Sequence, residues 1–251
     1  MNKNELTTQA FWKNYWESKE NLVFEVEKKY ELGDLVEKIL AGKNIKSAIE
    51  IGGFPGYYAI LLKKHYQINA TLLDYFIHPE IINNLLAKNG LKNDDIGIIQ
   101  ADLFNYSPEK KYDLVLSCGL IEHFEDTKDI ISRHVQFLDG NGTLFITLPN
   151  FRGVNGWVQK TFDRYNYDKH NVKMMDVDLL KNICKELGLK EVKSYYYRRF
   201  SVWLENKDEK SFLTKTFVKT IWILGKIFTR IIPIESQFLS PYIILEAKKA
   251  Y

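Results

Sequence analysis

The sequence predicts an α/β fold, a doubly wound sheet in one domain, and three observations predict it. A glycine-rich turn, residues 52–56, separates an apolar strand from a helix. A second apolar run follows and ends on an acid, Asp74. Strand-like and helix-like runs then alternate as far as Pro149. A chain of 251 residues, 45% apolar and 27% charged, suits one large globular domain with a substantial core. The net charge of +3 is too small to argue nucleic-acid binding by itself. Cys118 and Cys184 form no disulfide framework, and the opening M-N-K-N-E-L-T-T-Q has no hydrophobic signal region, so a reducing cytoplasm is the expected setting.

In chain order, residues 10–18 are short, aromatic-rich and helical in composition. They read either as a helix packed on the domain edge or as a lid in which Tyr15 and Trp16 cover a ligand. Asp34 is an expected N-cap for a helix through Leu40, and Gly42 is its expected stop. Ala48, Ile49 and Ile51 suit a buried strand. Gly52, Gly53, Pro55 and Gly56 make the turn, residues 57–66 a helix, and residues 70–73 a second strand. Glycines let the backbone approach a ligand closely and take positive φ. Carboxylate oxygens only accept, so Asp74 at the strand tip suits a ribose diol, with Tyr75 beside it. The spacing of Gly52, Gly53 and Gly56 is not the G-x-G-x-x-G of dinucleotide sites. Glu50 just before the turn would repel a pyrophosphate and attract an ammonium or sulfonium. An adenosyl ligand with positive charge fits, and S-adenosylmethionine has that character.

The stretch Glu50-Ile51-Gly52-Gly53-Phe54-Pro55-Gly56 resembles the first motif of class I S-adenosylmethionine-dependent methyltransferases, E/D-x-G-x-G-x-G. Glu50, Gly52 and Gly56 match, Phe54 takes the middle glycine's place, and Gly53 is displaced by one. The resemblance implies a Rossmann-like doubly wound seven-stranded sheet whose last strand is antiparallel beside the fifth. With an N-terminal helix and a C-terminal cap helix, it divides one methyltransferase domain into a lid (1–46), a cofactor-binding core (47–149) and a substrate-side part (150–251). It also favours the lid reading of Tyr15 and Trp16.

Residues 79–89 suit a helix with Pro79 in its first turn, ended by Gly90. Residues 96–100 are a third strand leading to Asp102 and Leu103. An acid there can accept from an adenine amino group, and the resemblance gives both residues the adenine. Otherwise Asp102 is a turn cap. Residues 112–116 are a fourth strand. Ser117, Cys118 and Gly119 follow at its tip and would line the sulfonium. Glu122, His123 and Asp126 match a recurrent L-E-H-x-x-D pattern of the resembled family. His123 reads either as a general base or as a structural histidine orienting the loop. A helix is expected from Thr127 or Asp129 to Leu138. Gly140-Asn141-Gly142 then turns into a fifth strand, residues 143–148.

Residues 149–170 mix aromatics with Asn, Arg and Lys, as a small-molecule site does. Asn150, Arg152, Trp157 and Tyr165 are its candidate acceptor contacts, and His170 is a second candidate base. The alternative is a surface helix. Asp176 caps an expected helix through Leu187, stopped by Gly188. Residues 189–200 are a strand whose Tyr195–Phe200 tail is aromatic and basic, too little for a nucleic-acid site. Residues 211–233 form a helix with Lys215, Lys219, Lys226 and Arg230 in one stripe, opposite Phe217, Trp222, Leu224, Phe228 and Ile231. It reads as a cap helix with its lysines in water, or as a peripheral membrane contact. The five histidines show no metal-ligand spacing, so no metal is expected.

The reading that follows is methyl transfer from S-adenosylmethionine to a small molecule such as a sugar, lipid-linked compound or secondary metabolite. A non-catalytic adenosyl-ligand-binding or membrane-surface protein, and an NAD-dependent oxidoreductase, are the alternatives. Neither the acceptor atom nor the oligomeric state is legible.

Overall fold

The computed structural model describes residues 4–205 and 207–250. Its seven-stranded sheet runs in the order β3-β2-β1-β4-β5-β7-β6. The strands are β1 (Ser47–Ile51), β2 (Asn69–Asp74), β3 (Gly97–Gln100), β4 (Tyr112–Cys118), β5 (Leu138–Pro149), β6 (Lys190–Tyr197) and β7 (Tyr242–Lys248). β1 to β5 pair in parallel, and β7 lies antiparallel between β5 and β6, as expected for the last strand.

Alternation decides where the core sits. Along β1, Ala48 faces one apolar layer, while Ile49 and Ile51 face the other. The first layer packs α2 (Gly33–Leu40), α3 (Tyr57–Tyr66) and α4 (Pro79–Lys88) on the sheet. The second packs α5 (Thr127–Gln136) and α8 (Val177–Glu186). With both faces covered, the central strands read as continuous apolar runs. Strand order reverses between β1 and β4, so a crevice opens over their C-terminal ends. The N-terminal helix α1 (Gln9–Glu17), capped by the Thr8 hydroxyl, lies at the mouth of that crevice.

Several boundaries differ from expectation, each for a local reason. Asp34 is not an N-cap: α2 begins at Gly33 behind Leu32, and Asp34 instead accepts from the Tyr197 hydroxyl. α5 starts at Thr127 because the Asp126 carboxylate accepts the Asp129 amide at 2.9 Å. The Gly140–Gly142 stretch is no separate turn. β5 already pairs at Leu138 with Tyr112, and the pairing register shifts before Thr143 pairs Leu114, with Asn141 at φ 63. β6 stops at Tyr197 because Arg198 takes φ 63. The segment read as a small-molecule site or a surface helix forms two helices, α6 (Val154–Phe162) and α7 (Arg164–Tyr167).

The last helix, α9 (Phe212–Ile231), departs most from its expected packing. It rests on the domain through Val218 and Thr229 and the small Gly225, which Phe200 crowds. Its large apolar residues Leu224, Phe228 and Ile231 face outward instead of covering the domain, while Phe217 packs on Phe162 at 5.7 Å. Trp222 sits on the basic side, with Lys226 Nζ 5.6 Å over its ring. No helix among the described residues is long and apolar enough to cross a membrane.

Candidate functional site

The crevice is a cavity of about 420 Å³ built where the strand tips, α1 and the α6–α7 region meet. Its floor is the turn after β1. Gly52 has φ +65, and a Cβ there would lie 2.5 Å from the Leu120 side chain. A Cβ on Gly53 would lie 2.2 Å from Glu50 Oε1. The turn therefore needs glycine at both places, one for conformation and contact, the other for the glutamate folded beneath it.

Glu50 is buried and its Oε2 accepts the Ala59 amide at 2.7 Å, tying the strand to the first turn of α3. Burial pushes its carboxyl up to about 8, so near neutrality it holds a proton. Asp74 closes the β2 side. Its Oδ2 accepts from Phe54 N and its Oδ1 from Phe76 N, each at 2.9 Å. Burial raises this carboxyl to about 6 against the pull of those amides. Each oxygen keeps a second lone pair for a ligand hydroxyl. Phe54 follows from the same geometry. Its amide holds Asp74, and its ring packs edge-on against Trp16 at 5.5 Å and Phe76 at 5.7 Å.

Of the residues singled out for a cofactor, Glu50, Gly52, Gly53, Phe54, Asp74, Tyr75, Asp102, Leu103, Cys118 and Gly119 all line this cavity. Tyr15 and Trp16 line it from α1, the lid position. Tyr15 also reaches Glu205 with its hydroxyl at 3.4 Å, bridging lid and far wall. Asp102 holds its own loop, accepting from Phe104 N and Asn105 Nδ2, which is its turn-cap reading, while it also lines the cavity. Two residues lie off the wall. Gly56 is the left-handed N-cap of α3 at φ 95, and Ser117 is buried behind Gly119.

The other wall is made by the loop after β4 and by α7. A 3-10 turn, Ile121–His123, carries Glu122 and His123, and the turn that follows α7 carries His170. The imidazoles of His123 and His170 stand 4.6 Å apart. His123 Nδ1 is 2.9 Å from Lys169 O, and His170 Nδ1 is 2.8 Å from Asn166 O, which fixes both rings and leaves each Nε2 free to face outward from its anchor. Burial pulls His123 down to about 3 and His170 to about 4, so both are neutral near pH 7. Glu122 is buried with Oε2 lacking a hydrogen-bond partner, and burial pushes it up to about 8. One ligand atom from each of the three lies within 4.8 Å of the others, a grouping able to hold a metal ion. No histidine spacing reveals it, because chain folding brings the parts together.

All four expected acceptor contacts fall outside the cavity. Asn150 is buried and spends its amide on Gln237 O and Ser240 O, each at 2.8 Å, anchoring the chain before β7. Arg152 pairs with the Asp176 carboxylate. Trp157 packs on Phe162 and Phe217, toward α9. Tyr165 is exposed, with Lys169 Nζ 5.0 Å over its ring. The segment does approach the site, but through Phe151, Asn166, Lys169 and His170. A helix shows only one side to a cavity, and the alternation of aromatics gave no helical phase. Sequence reasoning also missed Glu5, Phe11, Trp12 and the distant pair Trp203 and Glu205. Phe11 and Trp12 were legible as part of the aromatic run of α1. Trp203 and Glu205 carry no local signal.

A methyltransferase domain model matches residues 24–194. Malonyl-[acyl-carrier protein] O-methyltransferase 2 of Ilyobacter polytropus is 26% identical over 187 residues, which is 73% of this chain and 66% of that protein. Malonyl-[acyl-carrier protein] O-methyltransferase 1 of the same organism is 29% identical over 122 residues, 47% of this chain and 44% of that protein. The chain thus spans less than two thirds of these relatives' length. Among solved structures, Haemonchus contortus phosphoethanolamine N-methyltransferase 2 in complex with S-adenosyl-L-methionine superposes with a TM-score of 0.61 at 16% identity. The match covers 97% of this chain and 58% of that one, a likeness of fold.

Proposed function

The chain belongs to the class I S-adenosylmethionine-dependent methyltransferases, and from that premise we propose that it transfers a methyl group from S-adenosylmethionine to a small acceptor bearing an amine. Membership of that family displaces the nicotinamide-dependent reading. The donor assignment runs along the β1–β2 side. Glu50 and the glycine turn hold the methionine end, Asp74 takes the ribose hydroxyls, and Asp102 with Leu103 takes the adenine. Gly119 and Cys118 border the sulfonium.

One observation carries the acceptor assignment: Glu122, buried and unpaired, sits beside two neutral imidazoles in an aromatic-walled end of the cavity. Glu5 and Glu205 add carboxyls to the same lining. Lys169 is the lining's lysine, and its Nζ is spread over the Phe11 and Tyr165 rings. Carboxyls plus aromatic faces attract an ammonium, by charge and by the ring quadrupole. A malonyl group, named for the curated relatives' acceptor, is anionic and would meet repulsion here. Methyl transfer is an in-line displacement from a good leaving group, so alignment supplies most of the rate. The acceptor nitrogen must shed a proton to expose its lone pair. Glu122 is mostly protonated at neutral pH, and the fraction ionised as pH nears about 8 is the form placed to take it. His123 and His170, held by their Nδ1 contacts, orient it and the acceptor.

Calorimetry with S-adenosylmethionine and S-adenosylhomocysteine tests the donor half. A transfer assay on primary amines, alcohols and carboxylates tests the acceptor half. Glu122→Gln is expected to lower kcat by about 10²–10⁴-fold with donor affinity unchanged. Transfer to carboxylates but not amines would sink the acceptor reading and leave the donor standing. Donor binding with no transfer to any acceptor would favour the non-catalytic reading.

A further inference from the structure

Helix α9 has its polarity reversed for a helix packed on a domain. Helices of globular proteins turn their large apolar residues inward. Here Val218, Gly225 and Thr229 are turned inward, while Leu213 is 78% exposed, Leu224 61% and Ile231 75%. Ile227 and Phe228 complete the outward face, and Ile232, Ile234 and Phe238 beyond the helix end are exposed as well. At about 100° per residue, Lys215, Lys219, Lys226 and Arg230 fall within about 60° of one another along one flank. Phe217 on the other flank packs against the half-exposed Trp157. Residues 211–233 contain no Asp or Glu.

A second observation lies beside the basic flank. A concavity of about 500 Å³ is lined by Arg198, Arg199, Lys226 and Arg230, with Glu235 as its one acid. Arg198 is fixed there by donating to Glu31 O at 2.7 Å. Four cations around an open hollow are suited to a phosphate-bearing group.

We propose that α9 is a surface anchor that lies in the plane of an anionic lipid bilayer, its apolar face at the acyl boundary and the Arg198–Arg230 hollow on a headgroup phosphate. The two observations select this occupant together. An apolar protein partner would cover the outward face and leave the cations without counter-charge. A second copy of this chain would bring two basic stripes to one interface. An anionic bilayer offers hydrocarbon and phosphate at the spacing the helix displays, and tryptophan at the boundary suits the headgroup layer. Docking also sets the orientation of the enzyme. α9 packs on Val158, Phe162 and Val202, next to Trp203 of the cavity wall, so the acceptor side of the cavity is held near the lipid. The anchor stands whether or not the amine reading does.

The test is sedimentation of the full chain with phosphatidylcholine vesicles, with and without phosphatidylglycerol. Binding to the anionic vesicles at least tenfold tighter than to the zwitterionic ones, and weakening with salt, is expected. Leu213→Ser, Leu224→Ser and Ile231→Ser together should lower vesicle affinity at least tenfold with the unfolding temperature unchanged. Lys219→Gln with Arg230→Gln should cost about fivefold per charge on anionic vesicles alone. The proposal is overturned if the wild type ignores anionic vesicles, or if the serine variant binds them as the wild type does. It is equally overturned if inorganic phosphate binds in calorimetry while vesicles do not. A dimer in sedimentation velocity that Leu224→Ser dissociates, with no vesicle binding, would make the face a contact between copies.

Discussion

The cavity over the strand tips and the outer face of α9 are built from similar side chains and put them to opposite uses. In the cavity wall, Trp12, Trp16 and Phe54 pack edge to face on one another, on His123 or on the buried Phe76, and the carboxyls of Glu50 and Asp74 accept backbone amides. Along α9, leucines, isoleucines and phenylalanines face outward with cations along one edge. Apolar content therefore does not fix where a side chain ends up. Burial of the same residues stabilises the fold in one region, whereas in the other they are left exposed, a face for the proposed anchor.

The contrast can be broken most directly with paired truncations. Leu61→Ala, in the fully buried first layer, should cost about 2–5 kcal/mol of stability. Leu224→Ala should stay within about 0.5 kcal/mol. Urea unfolding of the two variants measures both, and equal losses would mean that α9 buries its outward face in the isolated chain. A smaller effect sharpens the account of the cavity. Asp74→Ala should weaken S-adenosylmethionine binding at least tenfold, the scale of losing one charged hydrogen bond of about 1.5–3 kcal/mol. Unchanged affinity in calorimetry would remove the ribose assignment, since the backbone amides of Phe54 and Phe76 would then be the carboxylate's whole role.

The smallest effect is a slope. Glu50 and Glu122 both have carboxyls raised to about 8 from an ordinary 4.5. A raised folded value means stability present at low pH and lost as pH climbs through about 8. His123 and His170 are depressed and act oppositely, losing stability only as pH falls below the ordinary 6.5, toward about 3 and about 4 respectively. Between pH 6.5 and 8.5 the carboxyl slope dominates, so the unfolding temperature of the ligand-free protein should fall across that window. The fall should be shallower in Glu122→Gln. A wild-type curve that rises there would contradict the buried, protonated state of these two acids.

The order of the parallel strands followed from the family resemblance, whereas the glycine turn and the acid at the tip of β2 were legible because they are local. Each rests on residues a few positions apart whose backbone needs admit few alternatives. The acceptor wall was not. Asn150, Arg152, Trp157 and Tyr165 looked like a site by composition, but the stretch after β5 gives the first two to Gln237 and Asp176, and α6 and α7 turn the other two toward Phe217 and Lys169. Trp203 and Glu205 reach the cavity from a stretch with no pattern of its own. His123 and His170 were visible singly, whereas their 4.6 Å approach was not.

What the chain's order of residues settled by itself is the strand-turn-helix unit at residues 47–75 and the two stripes of α9, because short-range sterics and helical period act within a few residues. Tertiary structure alone decided which side of α9 faces the domain, and that Glu122 meets two imidazoles. Periodicity fixes the angle between two stripes on a helix but not the helix's rotation about its own axis. That rotation is set by the crowding of Phe200 against Gly225, a contact between segments the sequence does not place side by side.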